Sequence, residues 1–276
     1  MAPHHWRWVR LARVSRPGYA RPVTSLVHSD VANRVATITL DSPKNRNALS
    51  RALVSELTDA LTAAGRDDGA RVVVLTHTGS VFCSGADLSE AGSGSMSGAT
   101  AAMMTVMTTI VELSKPVIAK VGGHVRAGGM GIVGACDIAV ASETASFAFT
   151  EARIGLTPAI ISLTTLDLMQ PRAAARYYLT GETFGAKVAA EIGLITEAVS
   201  SGTIDDVTTR AAEQICETSP QGAAETKLLL TGPRRRRMAA DATDLAALSA
   251  RLFASEEAQE GIHAFLERRL PAWRQA

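Results

Sequence analysis

The chain has 276 residues, a formal net charge of +1 and 46% hydrophobic residues. A charge this close to zero creates no overall field that would attract nucleic acid or an anionic membrane surface. No apolar run approaches the ~18 residues that a membrane-spanning helix needs. We therefore expect a globular protein with a sizeable core, no membrane segment and no nucleic-acid partner.

The cysteine pattern indicates a reducing compartment. Cys83, Cys136 and Cys216 are odd in number and widely spaced, and no Cys-x-x-Cys pair or Cys/His cluster occurs. Such spacing favours reduced thiols over a disulfide framework or a metal site. We expect a cytoplasmic protein without a bound metal.

The first 22 residues form a basic leader, with five arginines before the first acid, Asp30. An Arg-rich, acid-poor start is one feature of organelle transit peptides. This leader lacks their serine content and clean amphipathic face. We interpret residues 1–22 as a disordered tail or the product of a mis-assigned start codon.

Strands and helices are both predicted up to about residue 200. Runs of β-branched residues predict strands, and apolar residues at helical spacing predict helices, the first of them capped by Ser50. In chain order the predictions are a strand over 35–40, a polar turn over 41–47, a helix that begins after Ser50 and includes Leu61, a strand over 72–76, a tight loop over 79–88, a mobile loop over 91–99, a helix over about 99–114, strands over 116–121, 137–141 and 145–149, helices over 159–170, 172–179 and 184–191, and a last strand within 193–199.

From about residue 203 onwards the pattern is helical only. This shift predicts a core over 23–200 and a C-terminal helical region over 201–276. Within that region, the basic run Arg234–Arg237 follows Gly232-Pro233. We interpret it as a solvated linker between helices, or as a second phosphate-facing edge, rather than as a nucleic-acid site.

The stretch from Gly122 to Gly131 contains five glycines in ten residues. It lies between a predicted buried strand and a predicted helix, which indicates that its backbone approaches another group closely. Amide N–H groups at the start of a helix have no intrahelical partner, and the helix dipole adds to their attraction for negative charge. The stretch therefore predicts a site for an anionic oxygen.

Several segments, taken in order, resemble the crotonase superfamily, the enoyl-CoA hydratase/isomerase family. The resemblance covers about residues 25–273 and rests on the order and spacing of its motifs. The matching segments are Leu40 to Leu49, with Ser42 where arginine is usual, Phe82 to Leu88, Ala127 to Gly129, Cys136 to Ala141, Glu151 to Pro158, and Glu260 to Arg269.

The resemblance implies an α/β fold, a crotonase-like ββα spiral core with a C-terminal α-helical trimerisation region. It implies an acyl-CoA substrate, a homotrimer or a dimer of trimers, and no cofactor apart from the coenzyme A of the substrate. It also implies an oxyanion hole made by the backbone N–H groups of Ala86 and Gly128. These groups would stabilise the negative charge that develops on a thioester oxygen.

The carboxylates depart from the family pattern. Hydration in this family uses two glutamates that hold one water. The later of them matches Glu151, but the earlier position is Gly131. A single carboxylate is sufficient to move a proton between C2 and C4 of an enoyl-CoA. We expect weak hydration, and we expect that Gly131→Glu increases it. The alternative for Glu151 is a surface ion pair with Arg153.

Neighbouring polar residues are candidates for other roles. His124 is interpreted as a packed or surface histidine, and Arg126 as a group that faces solvent near the CoA phosphates. Asp87 and Asp137 are expected to be structural. The resemblance places the following residues at the CoA or acyl site: Lys44, Arg46, Ser84, Ala86, Asp87, Leu88, Gly129, Phe265 and Arg268.

Three functions remain open at this point. The first is an enoyl-CoA hydratase of fatty-acid or related acyl-CoA metabolism, which the family name favours. The second is a single-glutamate enoyl-CoA isomerase that uses Glu151. The third is a catalytically silent acyl-CoA-binding protein, because the first catalytic glutamate is replaced by Gly131.

Overall fold

The computed structural model describes residues 25–93 and 96–275, so the basic leader lies outside the described residues. The strands are β1 (Val27–Ala32), β2 (Val35–Leu40), β3 (Val72–His77), β4 (Val81–Cys83), β5 (Val117–Val121), β6 (His124–Arg126), β7 (Ile138–Ser142), β8 (Ser146–Ala148), β9 (Phe184–Gly185) and β10 (Glu197–Val199). The helices are α1 (Arg51–Arg66), α2 (Met96–Glu112), α3 (Gly128–Ala135), α4 (Ser162–Thr165), α5 (Pro171–Thr180), α6 (Ala186–Glu191), α7 (Ile204–Glu217), α8 (Pro220–Phe253) and α9 (Glu256–Leu266).

The strands form two sheets that the chain visits in turn. The larger sheet has the order β1-β2-β3-β5-β7-β10, and the smaller has the order β4-β6-β8-β9. Only β1–β2 and β8–β9 are antiparallel among these pairs of the described chain. The chain therefore passes from β3 to β4 and α2, then from β5 to β6 and α3, then from β7 to β8. This repeated ββα turn is the spiral that the sequence analysis predicted.

The first helix shows how the sequence sets the packing. Ser50 accepts a hydrogen bond from the Leu53 amide, as expected of an N-cap residue. Helical spacing then places Leu53, Leu57 and Leu61 on one face, and all three are fully buried. The parallel strand β3 is also buried along most of its length, because helices cover both faces of such a sheet.

Several boundaries differ from the prediction. The strand β1 was not predicted, and α2 begins at Met96, inside the predicted mobile loop. Residues 94 and 95 of that loop lie outside the described residues. In the segment 184–191, the first two residues form β9 rather than helix.

The predicted helix over 159–170 is wrong. Only α4 is helical in this segment, and turns flank it. The Thr165 hydroxyl donates to the Ile161 carbonyl at 2.6 Å, and the Thr164 hydroxyl lies between the carbonyls of Gly131 and Ile161, nearer to Gly131. Such local bonds compete with a regular helix, which explains why the apolar spacing was misleading.

The interpretation of Arg234–Arg237 as a linker is also wrong. This run lies inside α8, which continues through Pro233. Arg234 donates to the Gly134 carbonyl, and both Arg234 and Arg237 contact Asp167. The basic run therefore fastens α8 to the ends of α3 and α4.

The last helix packs on the segment that carries Glu151. A Cβ atom added to Gly261 would lie 2.5 Å from the Ile154 carbonyl carbon. Gly155 has φ +74°, and a Cβ there would lie 2.7 Å from the Glu257 carbonyl oxygen. These two glycines allow α9 and the short 3₁₀ helix Glu151–Ile154 to touch backbone to backbone.

Candidate active site

The two glycine loops predicted as oxyanion loops lie against each other. Gly85 has φ +92°, and a Cβ on it would lie 3.2 Å from the Gly128 amide nitrogen. A Cβ on Gly128 would lie 3.6 Å from the Gly85 Cα. The absence of both side chains permits this close approach, so the loops that are about forty residues apart in sequence meet at one point.

The two candidate amides are held in place by their neighbours. The Leu49 amide donates to the Gly85 carbonyl at 2.8 Å, and Leu49 pairs with Ala86 in an isolated parallel bridge. Ala127 precedes α3 with φ +46°, an unusual conformation for a residue with a side chain. Within residues 25–93 and 96–275, neither the Ala86 amide nor the Gly128 amide donates a hydrogen bond to a backbone carbonyl of a turn or loop. Both N–H groups are thus available to a further acceptor.

The position of the missing acid is filled. Gly131 is buried in α3, and a Cβ on it would lie 2.7 Å from both Ile161 Cγ2 and Met107 Sδ. The Gly131 carbonyl accepts a hydrogen bond from Thr164 at 2.9 Å. No space for a carboxylate or its bound water remains beside this backbone unless Ile161 and Met107 move.

Glu151 begins the 3₁₀ helix after β8, and its carboxyl group is turned into the protein. Its Oε2 atom is buried and has no hydrogen-bond partner in the described part of the chain. Burial raises the pKa of Glu151 to about 7, against the lowering effect of its own backbone amide. The alternative pairing with Arg153 is wrong, because Arg153 Nε donates to the Thr180 carbonyl instead.

Tyr178 packs on Phe149, close in sequence to Glu151, and was not predicted as a site residue. Its ring centroid is 4.3 Å from that of Phe149, two residues before Glu151. Burial raises the pKa of Tyr178, and the negative charge of Glu151 raises it further, whereas the bond to Thr165 lowers it. Two adjacent tyrosines in an amphipathic helix give no sequence signal that would distinguish Tyr178 from a core residue.

The opening turn and the first glycine loop are joined by side chains. Asn45 Nδ2 donates to Asp87 Oδ2 at 2.8 Å, and Ser89 donates to Asp87 Oδ1 through both its amide and its hydroxyl. Burial alone would raise the pKa of Asp87, but these hydrogen bonds outweigh it and lower that pKa. The geometry agrees with the expected structural role of Asp87.

Asn47 organises the same turn. From the sequence it was predicted only as one residue of the polar turn over 41–47. It is fully buried with φ +50°, and its amide group donates to the carbonyls of Thr78 and Val81. Its Oδ1 accepts from the Ser42 amide. The turn therefore has a fixed shape, which positions Lys44 and Arg46 on the surface.

The residues predicted to contact CoA occupy three places. Lys44 and Arg46 are exposed in the opening turn, where the Arg46 carbonyl accepts from the Ser84 amide. Leu88 begins a 3₁₀ helix after the first glycine loop. Gly129 packs against Cys83, and a Cβ on it would lie 2.8 Å from Cys83 Cβ, so there is no room for a side chain at this position.

Phe265 and Arg268 lie at the C-terminal end of α9. Phe265 is 54% exposed, and Arg268 follows the helix with φ +56°. The adjacent Arg269 is bound by Glu260 and Glu267. Phe265 and Arg268 are consequently available on the surface of the helix that packs on the Glu151 segment.

The interpretation of Arg126 as a solvent-facing phosphate ligand is wrong. Its guanidinium donates to the carbonyls of Val125 and Ser146 and to the Ser146 hydroxyl. Burial lowers its pKa. His124 is exposed, and its Nδ1 lies 3.0 Å from the same hydroxyl. Both residues stabilise β6 against β8. The expected structural role of Asp137 agrees with the geometry, since its carboxylate accepts from the Val117 amide and from Lys227.

The remaining features are the cysteines, the possible metal ligands, the apolar helices and a groove away from Glu151. Cys83 and Cys136 are buried and Cys216 is partly buried, all three as free thiols. Within the described ranges, no group of three metal-binding side chains occurs and no helix is long and apolar enough to cross a membrane. A groove of about 610 Å³ lies between α2 and α8, lined mostly by threonine and alanine, and Glu151 is not among its lining residues.

Comparison with known proteins gives the family. The sequence profile described as enoyl-CoA hydratase/isomerase matches residues 30–276. The chain belongs to the enoyl-CoA hydratase/isomerase family. The crotonase fold expected from its motifs is confirmed by a solved enoyl-CoA hydratase from Mycobacterium avium, which is 51% identical with a TM-score of 0.85 over 91% of this chain and 100% of that one.

Curated relatives agree with this assignment. The enoyl-CoA hydratase domain-containing protein 3, mitochondrial, of Danio rerio is 33% identical over 91% of this chain and 88% of its own length. The (E)-benzylidenesuccinyl-CoA hydratase of Thauera aromatica is 30% identical over 90% of this chain and 98% of its own. The match to the enoyl-CoA hydratase/isomerase family therefore covers nearly all of the described residues.

Proposed function

We propose that this family member is an acyl-CoA enzyme in which one carboxyl group, Glu151, performs the proton transfer. The observation that carries the proposal is the contrast between two positions. Glu151 presents a buried, unpartnered carboxyl oxygen, whereas Ile161 and Met107 close the space beside Gly131. The site thus has one acid–base group where hydration in the family uses two.

The amides of Ala86 and Gly128 are the proposed oxyanion hole. Removing a proton from C2 of an acyl-CoA transfers the electron pair of the C–H bond into the thioester, so that negative charge appears on its oxygen. Two fixed N–H donors stabilise this enolate, and the loss of one such donor typically costs about 3–4 kcal/mol. The meeting of the two loops at Gly85 and Gly128 supports this assignment.

Isomerisation is the reaction that one carboxyl group performs without further help. The Glu151 carboxylate accepts the C2 proton of a 3-enoyl-CoA, and the dienolate forms with its charge on the thioester oxygen. The same carboxyl group then returns the proton to C4, which moves the double bond to C2. A pKa of about 7 suits this exchange, because both protonation states are populated near neutral pH.

Hydration is the second candidate, because the solved and curated relatives are named as hydratases. It requires a water molecule that is oriented while its proton is removed. Gly131 offers no side chain for that purpose.

Substrate binding and assembly complete the proposal. Lys44, Arg46 and Arg268 provide positive charge for the CoA phosphates, and Phe265 provides an exposed ring for the adenine. Ser84, Leu88 and Gly129 lie in or beside the two glycine loops and shape the entrance to the thioester. We also expect a homotrimer or a dimer of trimers, with no cofactor besides the CoA of the substrate and with a cytoplasmic location.

A paired assay tests the function. Purified protein is given 3-hexenoyl-CoA and, separately, crotonyl-CoA, and double-bond migration and water addition are followed. We expect isomerisation to exceed hydration, and we expect Glu151→Gln to lower the isomerisation rate by about 10²–10⁴-fold. Glu143→Gln, at an exposed glutamate in the turn after β7, is the matched control and should retain activity.

Two results would contradict the proposal. Crotonyl-CoA hydration at the ~10 s⁻¹ of an ordinary enzyme, with little isomerisation, would show that the closed space at Gly131 does not prevent water activation. Saturable acyl-CoA binding without turnover or C2-proton exchange would establish the silent acyl-CoA-binding alternative.

A further inference from the structure

The side chain of Met103 reaches the residue that carries the second proposed oxyanion amide. A Cβ atom added to Gly128 would lie 2.4 Å from Met103 Cε and 3.0 Å from Leu49 Cδ1. Leu49 also pairs with Ala86, the residue that carries the first amide. Gly128 therefore has the ends of two apolar side chains beside it, so an acyl group bound at its amide begins at an apolar surface.

Met107 continues this apolar surface along α3. Met103 and Met107 are four residues apart on α2, so their side chains lie on the same face of that helix. A Cβ atom on Gly131, three residues after Gly128, would lie 2.7 Å from Met107 Sδ. The two methionines of α2 thus cover two glycines of α3. Met103 is 8% exposed and Met107 is 0% exposed, so this methionine row leads from the edge of the core into its interior.

The side chains along the methionine row are apolar and able to move. Methionine is unbranched and has three rotatable bonds, so its end adapts to the shape of a neighbour. Ile161 supplies a further apolar contact at Gly131, and the Thr164 hydroxyl is bound to the Gly131 carbonyl at 2.9 Å. A charged group placed here would lose its hydration without gaining a partner. The row therefore suits a hydrocarbon chain.

We propose that Met103 is a specificity-determining residue of the active site, and that the substrate is a hydrocarbon acyl-CoA whose chain runs between α2 and α3 in place of the methionine ends. The Met103 end moves first because it lies at Gly128, and a longer chain then displaces the end of Met107. The volume of the Met103 side chain consequently limits the chain length that binds well. The inference rests on the proposed oxyanion role of Gly128.

Binding of saturated acyl-CoAs tests the inference without depending on turnover. Calorimetry measures the dissociation constants of butanoyl-CoA and decanoyl-CoA for the full-length protein. We expect Met103→Ala to increase the preference for decanoyl-CoA by about tenfold, because the shortened side chain leaves room for roughly two more methylene groups. Met104→Ala is the matched control on the same helix. Met104 lines the groove between α2 and α8, so its truncation should leave the preference unchanged.

A second pair of ligands tests the hydrocarbon class. Hexanoyl-CoA and adipoyl-CoA have acyl chains of equal length, but the adipoyl chain ends in a carboxylate. We expect the wild-type protein to bind hexanoyl-CoA at least about tenfold more tightly, because the methionine row offers that carboxylate no partner.

The wild-type protein also provides a measurement that does not depend on the stability of Met103→Ala. Methionine methyl groups labelled with carbon-13 are observed by nuclear magnetic resonance. The Met103 signal is identified as the one missing from Met103→Leu, a substitution that nearly conserves volume. We expect decanoyl-CoA to shift this signal and CoA alone to leave it in place.

Three results would each overturn the inference. They are an unchanged chain-length preference in Met103→Ala, a Met103 signal that decanoyl-CoA does not shift, and equal binding of adipoyl-CoA and hexanoyl-CoA. The proposed function is judged separately. Acyl-CoA binding without isomerisation would contradict the role of Glu151 and leave the Met103 result standing, whereas the absence of any acyl-CoA binding would overturn both.

Discussion

At the scale of single residues, the burial of Glu151 has a cost in stability that depends on pH. Its pKa is raised to about 7 from an ordinary value of 4.5. The folded state therefore binds its proton more tightly than the unfolded state does. The stability associated with that proton is complete below pH 4.5 and is lost as the pH rises through 7.

This linkage gives a prediction for Glu151→Gln. The amide cannot ionise, so the variant should be more stable than the wild-type protein at pH 8.5, by up to about 3 kcal/mol. The difference should vanish below about pH 4, where Glu151 is protonated in both the folded and the unfolded state. Urea denaturation at both pH values measures it. Equal stability of the two proteins at pH 8.5 would mean that the carboxylate is well solvated in the folded state.

Gly131 supports a second prediction at this scale. The sequence alone indicates that Gly131→Glu should create the missing acid, but atoms of Ile161 and Met107 lie 2.7 Å from the position of its Cβ. We expect Gly131→Glu to lower the melting temperature without a gain in crotonyl-CoA hydration. Gly131→Ala, the smaller control, should cost about 1–3 kcal/mol through overpacking.

A double variant distinguishes the steric limit at Gly131 from the absence of a carboxyl group there. Gly131→Glu combined with Ile161→Ala removes Ile161 Cγ2, one of the two atoms that lie 2.7 Å from the new Cβ, and leaves Met107 Sδ, which belongs to a flexible side chain. Hydration should rise in the double variant and not in the single one. A rise in the hydration rate of Gly131→Glu alone would show that Ile161 and Met107 move more easily than their packing indicates.

At the scale of elements, α8 is bound to the core through a buried lysine that forms an ion pair. Lys227 is 4% exposed, and its ammonium group donates to Asp137 and to the carbonyls of Ile110 and Lys115. All three of its protons thus have partners. Asp137 lies two residues after the end of α3, so this lysine links the C-terminal helix to the helix that begins with Gly128.

We expect Lys227→Met to destabilise the protein by about 1–3 kcal/mol, because the carbonyls of Ile110 and Lys115 lose their charged donor and Asp137 loses its cation. Lys120→Met is the control. Lys120 also lies 2.7 Å from a carboxylate, but its partner Asp205 is 77% exposed. Breaking that pair should cost at most about 1 kcal/mol. Similar losses in urea denaturation of the two variants would show that burial does not decide the cost.

The sequence predicted the elements that depend on local pattern and missed those that depend on tertiary contacts. The helix after Ser50 and the strands of the spiral have clear apolar periodicity. The meeting of Gly85 with Gly128 followed from family motifs. The sequence did not predict the path of residues 159–170, the packing of Ile161 and Met107 against Gly131, or the surroundings of Tyr178. Each of these is fixed by side chains from distant segments, such as Met107 and Arg237.

At the scale of the whole molecule, α8 leaves an apolar surface uncovered. Leu229 and Leu230 are 77% and 73% exposed, although the adjacent Lys227 and Thr231 are buried. Contiguous exposed leucines are characteristic of a surface that another protein covers. A trimer is the assembly that the family resemblance implies, and this surface on the C-terminal helix is a suitable contact for it.

The predicted trimer can be tested at that surface. Light scattering of the wild-type protein should give a mass of three or six chains, and Leu229→Lys combined with Leu230→Lys should reduce it, because two desolvated charges oppose the contact. Leu229→Met combined with Leu230→Met keeps the apolar surface and should keep the assembly. A wild-type protein that remains a single chain at high concentration would contradict the prediction, and the exposed leucines would then require another partner.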